Sequence, residues 1–289
     1  MVCACIDIGS NTTRVLVAEA RGGRLTELLQ RRAFTRVGRA VTAAGAIPRA
    51  KIDEVARVVA QQRTLAEAHG ACALRAVATS AVRAAANREE VVEAVREHGG
   101  VELAVLDGEE EARLAFLGAT AMLERPVEGP VGVVDVGGGS TEIAIGTPAG
   151  GVEWWASLPV GSSLLTERHL RSDPPTVDEL AAMAEHARAA LSAVDVPQVE
   201  CAIAVGGSAT SLHRLVGGEL GDAALERALG VLAGAPGAEI AVRHDIEPDR
   251  VALLPGGILV LRAVSERLGR PLAIGHGGLR EGVVLDLAG

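Results

Sequence analysis

Two stretches of the chain carry one hydrophobic pattern. Residues 3–9, CACIDIG, are an apolar run broken by a single carboxylate; polar SNT follows, then TRVLVAEA, whose β-branched content predicts a second strand. The pattern returns from Val131 as VGVVDVG, GGS and TEIAIG. In register, Asp7 aligns with Asp135, Gly9 with Gly137, Thr13 with Thr141 and Arg14 with Glu142. A strand–turn–strand unit repeated half a chain apart predicts two related α/β domains facing each other, each opening with its own hairpin.

Helical periodicity and punctuation fill the space between. Helices are expected around 51–69 and 88–98, with a strand at about 73–78. Asn87 with Glu90 reads as a capping box, and His98 before Gly99 as the matching C-terminal stop. Asp107, with Glu110 at the reciprocal position, launches EEEARLAFLGATAML as a helix. Thr176 with Glu179 opens another to about 192, VECAIAV at 199–205 is a buried strand, and GGSATSLHRLV turns from it into a helix. The repeat places the domain boundary near 120, giving 1–120 and 121–289, with a terminal helix near 279–289 able to pack back on the first domain.

Composition narrows the classes. The chain has 289 residues, 48% hydrophobic, enough to bury two cores and to exclude intrinsic disorder. Two Phe, two Trp and no Tyr provide few stacking platforms, and a net charge of −9 repels phosphodiester backbones, so nucleic acid is not expected as a partner. Lys51 is the only lysine; the arginine excess reads mostly as coding bias, although guanidinium forks also suit phosphate. Cys3, Cys5, Cys72 and Cys201 lack a zinc-like spacing and read as small buried thiols. The amino terminus does not read as a signal peptide, and the apolar stretch from Val251 to Leu261 is too short to span a bilayer. A cytoplasmic, soluble protein without a membrane partner is the expectation.

The turns carry the candidate chemistry. GSNT (Ser10, Asn11, Thr12) and GGGST (Gly137, Gly138, Gly139, Ser140, Thr141) place backbone N–H groups and hydroxyls where they converge on an anion, although a tight hairpin alone also explains glycine there. Asp7 and Asp135 end otherwise apolar strands, where a carboxylate is costly unless it binds a metal or donors. Mg²⁺ suits them, since it takes one or two carboxylates, several waters and phosphate oxygens; accepting turn N–H bonds is the simpler alternative for either alone.

Among Glu109, Glu110 and Glu111, the second completes a cap and the first can pair with Arg113. Glu111 is left on a small-residue face, where a carboxylate beside two others is expected to have a raised pKa and to serve as a general base toward water; a solvated surface Glu is the alternative. Glu142 points into the region of the second turn, where an acid orients water or a metal-bound water. Arg14, its counterpart, is placed to meet phosphate, the alternative being a cross-strand ion pair between ordinary surface groups. Arg83, on a helix opened by Thr79 and Ser80, has the same two readings, and the histidines show no metal-like spacing.

The segments CIDIGSNTTRVLVAE, RAVATSAVRAAANREE, LDGEEEARLAFLGA, VVDVGGGSTEIAIG, LTERHLRSDPPT and LREGVVLDL resemble, in order, those of the exopolyphosphatase and guanosine pentaphosphate phosphohydrolase family. The resemblance implies an α/β fold of two ribonuclease-H-like domains, that of the actin/hsp70/sugar-kinase superfamily, with an active-site cleft between domains. It also implies Mg²⁺-dependent release of terminal phosphate from inorganic polyphosphate or guanosine pentaphosphate. Glu111 then matches the catalytic base; Asp135, Gly137 and Glu142 match a motif that binds metal and terminal phosphate; Asp7, Ser10, Asn11 and Thr12 match the first phosphate motif, and Arg83 a phosphate contact. The chain lacks the carboxy-terminal helical domains of long members and resembles the short actinobacterial type, which points to short chains. Homodimerisation, known in the family, is a further partner the resemblance allows.

The expected reaction is in-line attack of water on a terminal phosphoryl group, with Glu111 taking the proton, Glu142 holding water or metal, and Asp7 and Asp135 holding Mg²⁺. Two rivals remain open at this stage: an ATP-dependent kinase of the same superfamily, and a non-catalytic sensor of polyphosphate or of guanosine tetra- and pentaphosphate.

Overall fold

The computed structural model describes all residues, Met1–Gly289. They divide into two units, Met1–Met122 with Gly277–Gly289, and Leu123–His276. The sequence reading assigned 277–289 to the second half while allowing its helix to return; in the structure these residues are part of the first unit.

The first unit begins with β1 (Val2–Ile8), β2 (Thr13–Arg21) and β3 (Arg24–Ala33), then α1 (Val37–Ala40), α2 (Arg49–Ala68), β4 (Ala73–Ala78), α3 (Ser80–Arg83), α4 (Arg88–Ala94), β5 (Leu103–Val105) and α5 (Gly108–Ala121). Its sheet runs β3-β2-β1-β4-β5, antiparallel among the first three strands and parallel from β1 to β5. β1 is an almost unbroken buried run because both faces of the sheet are covered. Ile6, Ile8, Val15 and Val17 pack on one face with Ile52, Val55 and Val59 of α2; Cys3, Cys5 and Leu16 pack on the other with Leu114.

The second unit repeats the plan with β6 (Val131–Val136), β7 (Thr141–Thr147), β8 (Gly151–Leu158), α6 (Ser162–His169), α7 (Val177–Ser192), β9 (Cys201–Val205), α8 (Gly206–Val216), α9 (Asp222–Gly234), α10 (Gly237–His244), α11 (Pro248–Val251), α12 (Leu254–Leu268) and β10 (Leu272–Ile274). Its sheet order, β10-β9-β6-β7-β8, is that of the first sheet read from the other edge. α12, buried on all sides from Leu254 to Leu261 and polar on one side beyond, fills the core beside β6 and α7.

The chain ends in α13 (Leu279–Ala288), which covers the second face of the first sheet with Leu279, Val283 and Val284. Its approach to α5 is set by glycine. A Cβ on Gly282 would fall 1.9 Å from the Leu114 carbonyl oxygen, and one on Gly118 2.0 Å from that of Gly278. At the rim, Arg113 bonds Glu110 at 2.7 Å and Asp286 at 2.9 Å, while Arg75 meets Asp286 at 3.2 Å.

Several sequence expectations give way to tertiary partners. Asn87 does not cap α4: its Oδ1 accepts from Ile47 N–H at 2.8 Å and its Nδ2 donates to Ile47 O at 3.0 Å, stapling the preceding loop. The helix also runs past His98 through a π-helical turn, Val95–Gly99, and Gly100 supplies the left-handed stop at φ 71°. Asp107 caps α5 through Glu110 N–H at 2.8 Å, but the Glu110 side chain turns to Arg113, displacing the expected Glu109–Arg113 pair. Cys3 and Cys5 are buried thiols as expected, whereas Cys72 is exposed. No helix is long and apolar enough to cross a membrane.

Gly282→Ala is therefore expected to drive α13 from α5 and cost about 3 kcal/mol, read as a lowered urea midpoint. An exposed control such as Ala223→Gly should shift it by about 1 kcal/mol at most.

Candidate active site

Antiparallel pairing sets which side chains sit side by side at the top of each sheet. In the first unit Asp7 of β1 lies opposite Arg14 of β2; in the second, Asp135 of β6 lies opposite Glu142 of β7. Directly opposed residues project on one face with Cβ atoms about 5 Å apart. The two hairpin tips close alike, Gly9 N–H donating to Thr12 O and Gly137 N–H to Ser140 O, each at 3.0 Å.

In the first unit the turn offers both an acceptor and a donor. Asp7 Oδ1 is buried without a hydrogen-bond partner, and so is Asn11 Nδ2. Arg14 Nε donates to Thr12 Oγ1 at 3.0 Å, and Gly38 N–H to Ser10 O at 2.8 Å, fixing the turn from both sides. Burial pushes the Asp7 carboxyl above its ordinary value, against the pull of the Arg280 and Arg14 guanidiniums. Arg280, on α13, has Nη1 buried without a hydrogen-bond partner.

Glu111 sits in the first turn of α5, where the Asp107 cap fixes the helix start, and is 7% exposed. It is not the solvated surface Glu that was its alternative. Arg83 Nη1 donates to Glu111 Oε2 at 2.6 Å and to Leu106 O at 2.8 Å. Arg83 is thus held over the carboxylate rather than spread on the surface.

In the second unit Glu142 is 2% exposed and accepts from Ser157 Oγ at 2.8 Å. Gly206, at φ +83°, begins α8 beside Asp135; any Cβ there would lie 2.3 Å from Asp135 Oδ1. The carbonyls of Gly137 and Gly138 accept from Ser162 and Ser163 N–H at 2.9 Å, so the glycine turn is seated on the start of α6. Ser140 is 5% exposed. Thr141 is fully buried and its hydroxyl donates to Val160 O at 2.6 Å, bracing the turn.

Two arginines had no role in the sequence reading. Arg250 is 8% exposed, packed where a Cβ on Gly207 would meet its Nη1 at 2.6 Å; no spacing connects it with Gly207. Arg280 falls in LREGVVLDL, where the only local cue is Glu281 Oε2 accepting from Gly278 N–H at 2.9 Å.

No three His, Cys, Asp or Glu side chains gather into a metal cage. A single buried carboxylate oxygen without a partner is what a cation that keeps waters and phosphate oxygens in its shell requires, and Asp7 fits it.

Comparison with known proteins agrees with this layout. A model of the Ppx/GppA phosphatase family matches residues 16–289, beginning just past the first turn. The chain belongs to the Ppx/GppA phosphatase family. It is an enzyme, a phosphoanhydride hydrolase, with the two-domain actin-like fold. Exopolyphosphatase 1 of Mycobacterium tuberculosis is 31% identical over 97% of this chain and 86% of its own length. Exopolyphosphatase 2 of the same organism is 30% identical over 99% and 98%. The crystal structure of the Aquifex aeolicus Ppx/GppA family member superposes with a TM-score of 0.83 at 30% identity, covering 100% of this chain and 97% of that one. An exopolyphosphatase-like protein superposes with a TM-score of 0.86 at 28% identity, over 99% and 98%.

Two outcomes test these assignments in this Ppx/GppA phosphatase. Thr141→Val should cost about 1–3 kcal/mol by stranding Val160 O, seen in urea unfolding, and leave phosphate release within about twofold once folded protein is matched. The fold favours protonated Asp7, so stability falls as pH rises from the ordinary aspartate range through the raised folded value, then levels. Asp7→Asn escapes that loss: in chelator its urea midpoint should exceed that of the unsubstituted protein at neutral pH, and the gap should close on acidification.

Proposed function

We propose that this enzyme is an exopolyphosphatase, releasing terminal phosphate from inorganic polyphosphate, with short chains preferred. One observation carries the reading: Asp7 Oδ1 and Asn11 Nδ2, a buried acceptor and a buried donor without partners, flank one turn in a chain whose relatives are exopolyphosphatases. Such a turn suits a metal-bound phosphate, the donor meeting phosphate oxygen and the acceptor the cation.

Asp7 in the first unit, and Asp135 with Glu142 in the second, are the carboxylates that would hold a divalent cation, and such hard oxygen donors suit Mg²⁺. When bound it would neutralise charge on the phosphate oxygens. The rest of the chemistry falls to the chain. Glu111 takes a proton from water as the water oxygen bonds to the terminal phosphorus; the bridging P–O bond breaks and the shortened chain leaves with its electron pair. Arg83 is a positioning residue for this base, holding Oε2 while its own place is fixed by Leu106 O. Each turn by itself offers donors to phosphate oxygens, Ser10, Asn11, Thr12 and Arg14 in the first unit and Gly137, Gly138, Gly139 and Ser140 in the second, and charge-assisted bonds of this kind strengthen as charge develops. Glu142, steadied by Ser157, orients the attacking water.

Glu111→Gln should lower kcat on triphosphate at least about a hundredfold in protein that is still folded, at the cost of a lower unfolding midpoint from the lost Arg83 pair, followed as released phosphate with Mg²⁺. Activity retained within a few-fold would remove Glu111 as the base. A panel of triphosphate, medium and long polyphosphate, guanosine pentaphosphate and ATP tests the substrate, and faster release from guanosine pentaphosphate than from every polyphosphate would overturn the reading.

A further inference from the structure

The row at the top of the first sheet does not end at Arg14. Arg14 of β2 lies directly opposite Arg32 of β3, so Asp7, Arg14 and Arg32 stand on one face across three adjacent strands. Strands are spaced about 4.8 Å apart, which puts Arg32 about 10 Å out from Asp7 in the plane of the sheet. In the second unit the corresponding row is Asp135, Glu142 and Ser157, without a cation.

The strand then continues into a feature that fixes the outer guanidinium. Phe34, one of two phenylalanines, lies under Arg32 with the guanidinium carbon 5.1 Å from the ring centroid, and under Arg36 at 5.7 Å. Stacking on a ring face pre-orients a guanidinium and limits the freedom lost when it binds. Arg36 takes the left-handed conformation at φ 46°, rare for a residue with a side chain, and its N–H donates to Asn11 O at 2.9 Å. The strained backbone ties this pair of arginines to the very turn that carries the buried Asn11 amide.

We infer that Arg32 and Arg36, ordered on Phe34, form a subsite for the inner phosphates of a polyphosphate chain whose terminal phosphate lies at the Asp7–Asn11 turn. The inference rests on the proposed function and extends it to the part of the substrate that does not react. Guanidinium forks read successive phosphate oxygens bidentately, so the subsite engages chains long enough to reach the third strand and leaves triphosphate less affected.

The test is calorimetric titration of the Glu111→Gln protein with triphosphate and with medium-length polyphosphate in Mg²⁺, alone and combined with Arg32→Gln. Arg31→Gln is the control: Arg31 is adjacent and exposed, points to the opposite face, and donates to Gln30 O. The expected result is medium-chain affinity weakened about tenfold by Arg32→Gln, a smaller change for triphosphate, and the ratio of the two unchanged by Arg31→Gln. Equal weakening of both ligands, or a ratio moved as far by Arg31→Gln, overturns the subsite alone. Absence of binding to either ligand, together with no phosphate release by the unsubstituted enzyme, overturns the proposed function and the subsite with it.

Discussion

An unslipped antiparallel register at the tip of each hairpin is the constraint on which the rest of the molecule depends. Side chains alternate with a period of two, so a shift of one residue between β1 and β2 would exchange Asp7 and Arg14 with Ile8 and Thr13. The register irregularities that do occur, at Val17/Ala18 and Ile145/Gly146, lie farther from the tips. They let the outer strands twist without disturbing the rows. The turn bonds Gly9–Thr12 and Gly137–Ser140 are what pin the register at the point where the chemistry is needed.

Much of this was legible from residues alone because the repeat is local. The alignment of Asp7 with Asp135 and Arg14 with Glu142 anticipates the paired rows, while small-residue spacing on α5 only tilts the choice toward Glu111, which the family resemblance completes. What was missed is long-range or weakly patterned. β3 buries only Leu29 in its interior, an edge strand with no apolar alternation to read. Asn87 had two suitors, the α4 N–H groups and the Ile47 backbone, and spacing reveals only the first. The bond of the Thr141 hydroxyl to Val160 O spans 19 residues, and no spacing announces it. Arg250 reaches Gly207 only through the packing of the second core.

The arginine surplus now divides by function. Arg49 with Asp53 at 2.8 Å, and Arg243 with Glu239, form exposed helix pairs that contribute little. These are the residues a compositional bias explains. Arg83, Arg250 and Arg280 are another population, largely enclosed and set against the Glu111 carboxylate, Gly207 in the first turn of α8 and the Asp7 carboxyl. A net negative molecule can therefore hold positive charge locally, beside individual carboxylates and glycines, while its surface remains repulsive to polyanions in general.

The return of the chain in α13 has a consequence for biosynthesis. The second unit is one continuous segment, Leu123–His276, inserted into a first unit whose sheet stays bare on one face until Leu279, Val283 and Val284 arrive. During translation the inserted unit can complete its core while the earlier one waits, exposing Cys5, Leu16 and Leu114 until Leu279, Val283 and Val284 leave the ribosome. The first unit, though begun earliest, can therefore close through the glycine contacts of α5 with α13 only after the whole of the second has been made.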